Sequence, residues 1–290
     1  MTTYSVLPTY FISHGGGPWP WMMGQMQGEY DHLAAALGDM PRQIGVTPKA
    51  VLVISGHWEE REFTVMANPR PPMIYDYGGF PEHTYHIRYA APGAPLLAER
   101  VCELIRQAGF PARQDAQRGF DHGTYTPLAL MYPNADVPVV QLSMRQGYDP
   151  RDHIAVGRAL ASLRHEGVLI VGSGLSYHNL RMFGPAAKEP SMQFDRWLQE
   201  TLLTSSPSER INRLVDWESA PAARLVHPRE DHLLPLMVAV GAAENDVASC
   251  VYHEDNFFGS ISVSSFMFTS QACANGAFTI TNERNTPVPC

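Results

Sequence analysis

Charge is scarce in this chain. Only 17% of its 290 residues are Asp, Glu, Lys or Arg, against about 25% in ordinary globular proteins, while 44% are hydrophobic. That composition excludes a disordered or coiled-coil protein, both of which need a polar, charge-rich sequence. No excess of basic residues exists either. The formal charge is −8, so the chain lacks the electrostatic footprint that a nucleic-acid partner or an anionic membrane requires. No apolar run approaches the roughly 20 residues that span a bilayer. The amino terminus, Met1 to Gly17, has neither a basic leader nor an apolar signal core. Cys102, Cys250, Cys273 and Cys290 form no C-x-x-C pair, which argues against a disulfide framework and against a cysteine zinc site. The expectation is a reduced, cytoplasmic, soluble protein whose oligomeric state the composition does not specify.

Apolar runs of strand length alternate with helical patterns. Leu7–Ser13, Ala50–Ser55, Glu62–Ala67, Val137–Ser143 and Val168–Gly172 read as strands buried on both faces, and Ser249–His253 and Ser260–Phe268 as later strands that complete the sheet. Ala94–Ala108 carries Leu97, Val101, Leu104 and Ile105 at helical spacing and ends before Gly109 and Pro111. Helices are also predicted over Arg151–Arg164, Gln193–Leu203, Asp231–Ala243 and, more briefly, Thr124–Tyr132. This alternation predicts one α/β domain over residues 1–290, with a central mixed sheet flanked by helices. Asn68–Pro95 breaks the pattern. It holds six prolines and the aromatics Tyr75, Tyr77, Phe80, Tyr85 and Tyr89 around Gly78-Gly79, the composition of an ordered lid or pocket wall.

What the chain does have is histidine, twelve residues in all. Three segments share one grammar: a buried apolar strand, small residues, then a histidine. They end in Ser13-His14-Gly15, Ser55-Gly56-His57-Trp58 and Gly172-Ser173-Gly174-Leu175-Ser176-Tyr177-His178-Asn179. Ligands of open α/β sheets bind beyond the carboxyl ends of the strands. Three histidines delivered to that edge can converge on a metal, for which imidazole is the commonest ligand. A lone histidine in such a loop is more often just hydrogen-bonded, but the repeated placement weakens that reading. His232, in His227-Pro228-Arg229-Glu230-Asp231-His232, sits at the start of the predicted Asp231–Ala243 helix, where by itself it reads as a cap or surface residue. His122, in Phe120-Asp121-His122-Gly123, suits either a hydrogen bond to substrate or a helix cap. His83 and His86 form an H-x-x-H on the proline-rich loop, away from the helical geometry a zincin motif needs. His32, His153 and His165 read as solvated side chains on amphipathic helices. No nucleophile elbow, P-loop lysine or dinucleotide fingerprint is present.

Taken together, Ser13-His14-Gly15-Gly16-Gly17-Pro18, Ser55-Gly56-His57-Trp58, His83-Thr84-Tyr85, Tyr89-Ala90-Ala91-Pro92-Gly93-Ala94-Pro95, Asp121-His122-Gly123-Thr124, Gly172 to Asn179 and His227 to His232 resemble the class III extradiol ring-cleaving dioxygenases, in their DOPA 4,5-dioxygenase branch. The resemblance runs from about residue 10 to 268 in order and spacing. It implies a non-haem metal, usually Fe(II), with Zn(II) also found in this branch. It implies His14, His57 and His232 as metal ligands, and His178 as an acid/base close enough to be counted in some descriptions as a fourth. His122 would be a second histidine facing the substrate. The substrates implied are O2 and L-DOPA or a related substituted catechol, opened beside its hydroxyls to a semialdehyde acid. The wider class uses two histidines and a glutamate. A register shift of two would put Glu230 in place of His232. Two other classes share such ligands, a zinc-dependent hydrolase and a non-catalytic metal-binding interaction protein.

Overall fold

The computed structural model describes residues 6–26 and 28–270, so Cys273 and Cys290 lie outside the described residues. Runs that are apolar on both faces form the middle of an eight-stranded sheet: β1 (Thr9–Ser13), β2 (Ala50–Glu60), β5 (Val139–Arg145) and β6 (Val168–Gly174) are parallel and almost wholly buried. Burial on both faces is why these strands read as continuous hydrophobic runs rather than alternating ones. β3 (Phe63–Met66), β4 (Ala112–Asp115), β7 (Val247–Phe257) and β8 (Ile261–Thr269) flank them. The order is β4-β3-β5-β2-β6-β1-β8-β7, with β3 antiparallel to β5 and β8 antiparallel to both β1 and β7. The expected mixed α/β sheet is therefore present. β4 was not expected, because Ala112–Asp115 (ARQD) is polar and half-exposed and forms a strand only by pairing with β3.

Helices cover both faces: α1 (Asp31–Ile44), α2 (Pro95–Gln107), α3 (His122–Met131), α4 (Pro150–Leu160), α5 (Pro185–Leu203), α6 (Pro207–Val215), α7 (Ala223–Val226) and α8 (Leu234–Ala242). Their starts are chemically marked. Asp121, Asp149 and Ser206 cap α3, α4 and α6 by accepting backbone N–H bonds, and Pro150 and Pro207 open their helices. β6 shows how the layers are assigned. Gly172 and Gly174 meet the Pro235 and His232 carbonyls on the α8 side, whereas Ser173, on the opposite face, donates to the Gly123 carbonyl of α3. α8 is buried all round and packs against α4 through glycines. A Cβ on Gly157 would lie 2.3 Å from the Val238 carbonyl oxygen, and one on Gly241 would lie 2.2 Å from that of Ile154. Among the described residues no helix is long and apolar enough to cross a membrane.

Several boundaries differ from the sequence reading. The Asp231–Ala243 helix starts only at Leu234, so His232 lies in a turn before α8. The Gln193–Leu203 helix begins eight residues earlier, at Pro185, and runs through Pro190. Arg151–Arg164 is α4 followed by a 3-10 turn, Ala161–Arg164. Of the histidines read as solvated, His32 is exposed on α1 and His165 is exposed in a turn, but His153 is fully buried. Its Nδ1 donates to the Asp149 carbonyl at 2.8 Å and its Nε2 accepts the Arg145 N–H at 3.3 Å. Two satisfied ring nitrogens make burial of a neutral imidazole affordable.

Two outcomes follow from this packing. Gly157→Ala is expected to destabilise the protein by about 1–3 kcal/mol through overpacking, read as a lower urea midpoint at unchanged m-value. Burial, against the smaller opposing effect of the Asp149 carbonyl, lowers the His153 pKa below its ordinary 6.5. Above that pH His153 costs nothing. As pH falls below it, the unfolded chain takes up a proton that the folded one refuses, and stability drops. His153→Gln is expected to flatten the fall in stability between about pH 6.5 and pH 5, and equal slopes in urea melts would count against a buried neutral His153.

Candidate metal centre

Three chain segments reach the same edge of the sheet by different devices. His14 directly follows β1. Its N–H continues the parallel ladder to the Gly174 carbonyl at 3.0 Å, and its own carbonyl accepts the Trp19 Nε1–H at 2.8 Å. Gly15 turns the chain with φ +77°, beneath Trp19. His57 sits in a bulge of β2. Pairing with β5 jumps from Ile54–Leu142 to Glu59–Met144, so Ser55–Trp58 oppose Ser143 alone, and the extra residues turn the imidazole out of the ladder. His232 lies in the turn before α8, where its carbonyl accepts the Leu175 N–H at 3.1 Å. A Cβ on Gly174 would stand 2.0 Å from that carbonyl oxygen, so this approach of chain to strand requires glycine.

The ring nitrogens divide into two sets. On the outer side, each Nδ1 faces a polar atom: His14 the Ser173 Oγ at 3.0 Å, His57 the Asp76 carboxylate at 3.4 Å and His232 the Asp231 carboxylate at 2.9 Å. Ser173 spends its own proton on the Gly123 carbonyl, so its lone pair accepts from His14. On the inner side, the Nε2 of His57 lies 3.1 Å from the Nε2 of both His14 and His232. Neutral imidazoles that donate through Nδ1 carry lone pairs at Nε2, and three lone pairs pointing at one another form a cation site. A metal–nitrogen bond of about 2.1 Å sets facial octahedral ligand atoms about 3.0 Å apart and tetrahedral ones about 3.4 Å apart, and the observed spacing falls between. His14, His57 and His232 thus fit a divalent metal.

Electrostatics agree. Burial, reinforced by the neighbouring histidines, lowers His14 well below 6.5 and His57 to about 4. Burial also lowers His232, despite the opposing Asp231 bond. Burial pushes Asp76 up, but the His122 and His57 contacts outweigh it and leave the carboxyl at about 2. Asp231 is likewise pushed up by burial and pulled further down by His178 and His232. Two carboxylates behind three neutral imidazoles balance a doubly charged ion.

His178 and His122 stand beside this trio. The His178 ring stacks on that of His232, centroids 3.4 Å apart and 16° between planes, with its Nδ1 3.4 Å from Asp231. His122, at the start of α3, donates to Asp76 from Nδ1 at 2.8 Å and from its backbone N–H at 3.0 Å, and its ring lies 4.0 Å from that of His57. Both line a cavity of ≈ 590 Å³ above the trio. Glu230 pairs with Arg224 at 2.6 Å, outside the cluster. His83 and His86 are exposed, bonded to the Trp21 carbonyl and to Glu82, and join no metal-binding group among the described residues.

Asp76 and Asp231 were missed by sequence reasoning. Asp231 had a signal, an acid immediately before a candidate ligand. Asp76 had only its position in the aromatic loop, and nothing local to Tyr75-Asp76-Tyr77 says that it reaches His57 and His122. That loop is ordered as a wall: Tyr75 and Tyr77 donate to the Ile87 and Thr84 carbonyls at 2.7 Å, and Phe80 lies over Gly17.

The sequence profile of the catalytic LigB subunit of aromatic ring-opening dioxygenase matches residues 8–272. The chain is 42% identical over 227 residues to a 4,5-DOPA dioxygenase extradiol of Beta vulgaris, covering 77% of this chain and 84% of that protein. The Portulaca grandiflora protein of the same name is 37% identical over 273 residues, 90% of this chain and 96% of its own, and that of Escherichia coli K12 is 37% identical over 230, 77% and 84%. A crystal structure of an uncharacterized protein from E. coli K12, JW3007, superposes with a TM-score of 0.72 at 29% identity, covering 91% of this chain and all of that one.

Removing the carboxylate shared by His57 and His122 is expected to loosen metal without unfolding the chain. Asp76→Ala should weaken affinity about 10–100-fold, measured by competition with a chromogenic chelator, with circular dichroism as the control for fold. His14→Ala, His57→Ala and His232→Ala should each lose most metal on dialysis.

Proposed function

The chain belongs to the LigB family of extradiol, aromatic ring-opening dioxygenases, and from that membership we propose that it uses O2 to open a catechol ring beside its two hydroxyls. The substrate class is L-DOPA or a related substituted catechol, as the names of the plant and bacterial relatives indicate for those proteins. The observation that carries the reading is the convergence of three Nε2 lone pairs at the floor of a deep cavity. Fe(II) is the ion proposed for activity, and Zn(II) fits the same neutral donors. When bound, Fe(II) acidifies a coordinated catechol and exchanges electrons with dioxygen.

The protein's own groups do the rest. His178 is the acid/base. Its Nδ1 is held towards Asp231, which leaves Nε2 to take the second catechol proton and later return one to the departing oxygen. Stacking on His232 sets its ring beside the metal site instead of within the trio. His122, fixed by Asp76 at two points, is positioned to hydrogen-bond an oxygen of the substrate. The Tyr77 and Phe80 wall keeps stray water from the reacting ring. The reading includes a cytoplasmic setting, where reducing conditions preserve Fe(II) and the free Cys102 and Cys250.

Fe(II)-loaded protein in air should consume oxygen with L-DOPA or a simple catechol and form a yellow semialdehyde. A zinc hydrolase or a binding protein on this fold would take up none, and absence of uptake with every catechol would end the proposal. His178→Phe should keep near-normal metal content and melting temperature while turnover falls about 10²–10⁴-fold. Loss of metal together with activity would make His178 a ligand.

A further inference from the structure

We propose that the cavity selects catechols whose ring substituent is apolar over those bearing a charged amino-acid side chain. The inference rests on the ring-cleavage reading for the position of the catechol, and on the cavity wall for the substituent. Beside the histidines the cavity is lined by Leu180, Phe183, Phe257, Phe258, Ile261 and Val263. Among the described residues no lysine or arginine lines it. Arg181, next to Leu180 in the chain, is exposed and is not part of the lining. The carboxylate within reach, Asp76, is committed to His122 and His57. Of the hydroxyls in the wall, those of Tyr77 and Tyr177 donate to the Thr84 and Met182 carbonyls, and that of Tyr30 accepts the Gly16 N–H. An α-carboxylate entering here would shed water with no cation to replace it, whereas a hydrocarbon chain would gain from the same desolvation.

The backbone adds an independent sign that this wall is built for its rings. β7 and β8 join through Phe258-Gly259-Ser260, where Phe258 and Gly259 have φ +49° and +76° and the Ser260 N–H donates to the Phe257 carbonyl at 3.3 Å. Two successive positive φ values closed by that bond have the sign pattern of a type I′ turn, whose first position favours Asn or Gly. A phenylalanine there is an outlier, and such strain persists where the side chain is wanted. The Phe258 ring stands edge-on to Tyr30 at 5.3 Å and to Phe257 at 4.8 Å, and meets Phe183 at 6.2 Å. It ties the hairpin to the Leu180–Phe183 side of the cavity.

The test titrates 4-propylcatechol and L-DOPA anaerobically into the full-length protein by calorimetry, then measures oxygen uptake with both after Fe(II) loading. The expected result is at least about tenfold tighter binding and higher kcat/KM for 4-propylcatechol, the discrimination one or two methylenes confer in an apolar pocket. Phe258→Asn, which suits the turn, should hold or raise the melting temperature while narrowing that ratio. Leu180→Arg, at an exposed rim position, should narrow it from the other side by giving L-DOPA a cation. L-DOPA binding as tightly as 4-propylcatechol overturns the inference, as does a ratio that neither variant moves. Preferential binding of 4-propylcatechol with no oxygen uptake from either compound leaves the apolar wall standing and sinks the ring-cleavage reading instead.

Discussion

Three imidazole lone pairs gathered around the His57 Nε2, which lies 3.1 Å from the Nε2 of both His14 and His232, repel one another unless a cation stands between them, and much of the architecture serves to keep them there. Each ring is pinned from behind by a hydrogen-bond acceptor, so that its inner nitrogen has no proton to give. The pins are themselves pinned. Ser173 is committed to α3, Asp76 to His122, and Asp231 to both His178 and the His232 backbone. The backbones beneath are fixed by close approaches that only glycine allows, at Gly174 under His232 and at Gly15 under Trp19. A site built on strand ends and a helix-entry turn takes its scaffold from the sheet.

The cavity above has two unlike halves, and their division follows from the elements that make them. The floor gathers at the carboxyl ends of the parallel strands, from strand ends, the start of α3, the turn before α8 and the Asn68–Pro95 loop, and carries most of the polar side chains. The outer wall comes from the antiparallel β7–β8 hairpin and from Leu180 and Phe183 after β6, and it is apolar. Polar and apolar lining thereby come from different parts of the sheet. The strained turn at Phe258 and the ordered Asn68–Pro95 segment both contribute lining residues to the cavity.

Much of this was legible in the chain. Buried strands that end in small residues and histidine predict both a parallel sheet centre and the edge at which His14, His57 and His178 gather, because a strand's direction and a ligand's place in such sheets are linked. The long proline- and aromatic-rich loop reads as a wall since a structureless segment of that length must have a use. Less legible were the ends of elements. His232 falls in a turn because α8 is delayed to Leu234, a boundary set by packing against β6. His153 looks solvated on a polar helix yet is buried, because Arg145 and Asp149 happen to supply its two partners.

What the sequence by itself determined is the class of fold, the inventory of histidines and their delivery to one sheet edge, since these follow from local periodicity and from rules that hold for every parallel strand. What only the tertiary structure decided is which nitrogen of each ring faces inward, that His178 stacks beside the trio, and that Asp76, 19 residues from His57 and 46 from His122 in the chain, orients both. Those facts depend on hydrogen bonds between segments remote in sequence. Such bonds leave no periodic trace in either segment, because each partner is an ordinary polar residue until the fold sets it opposite the other.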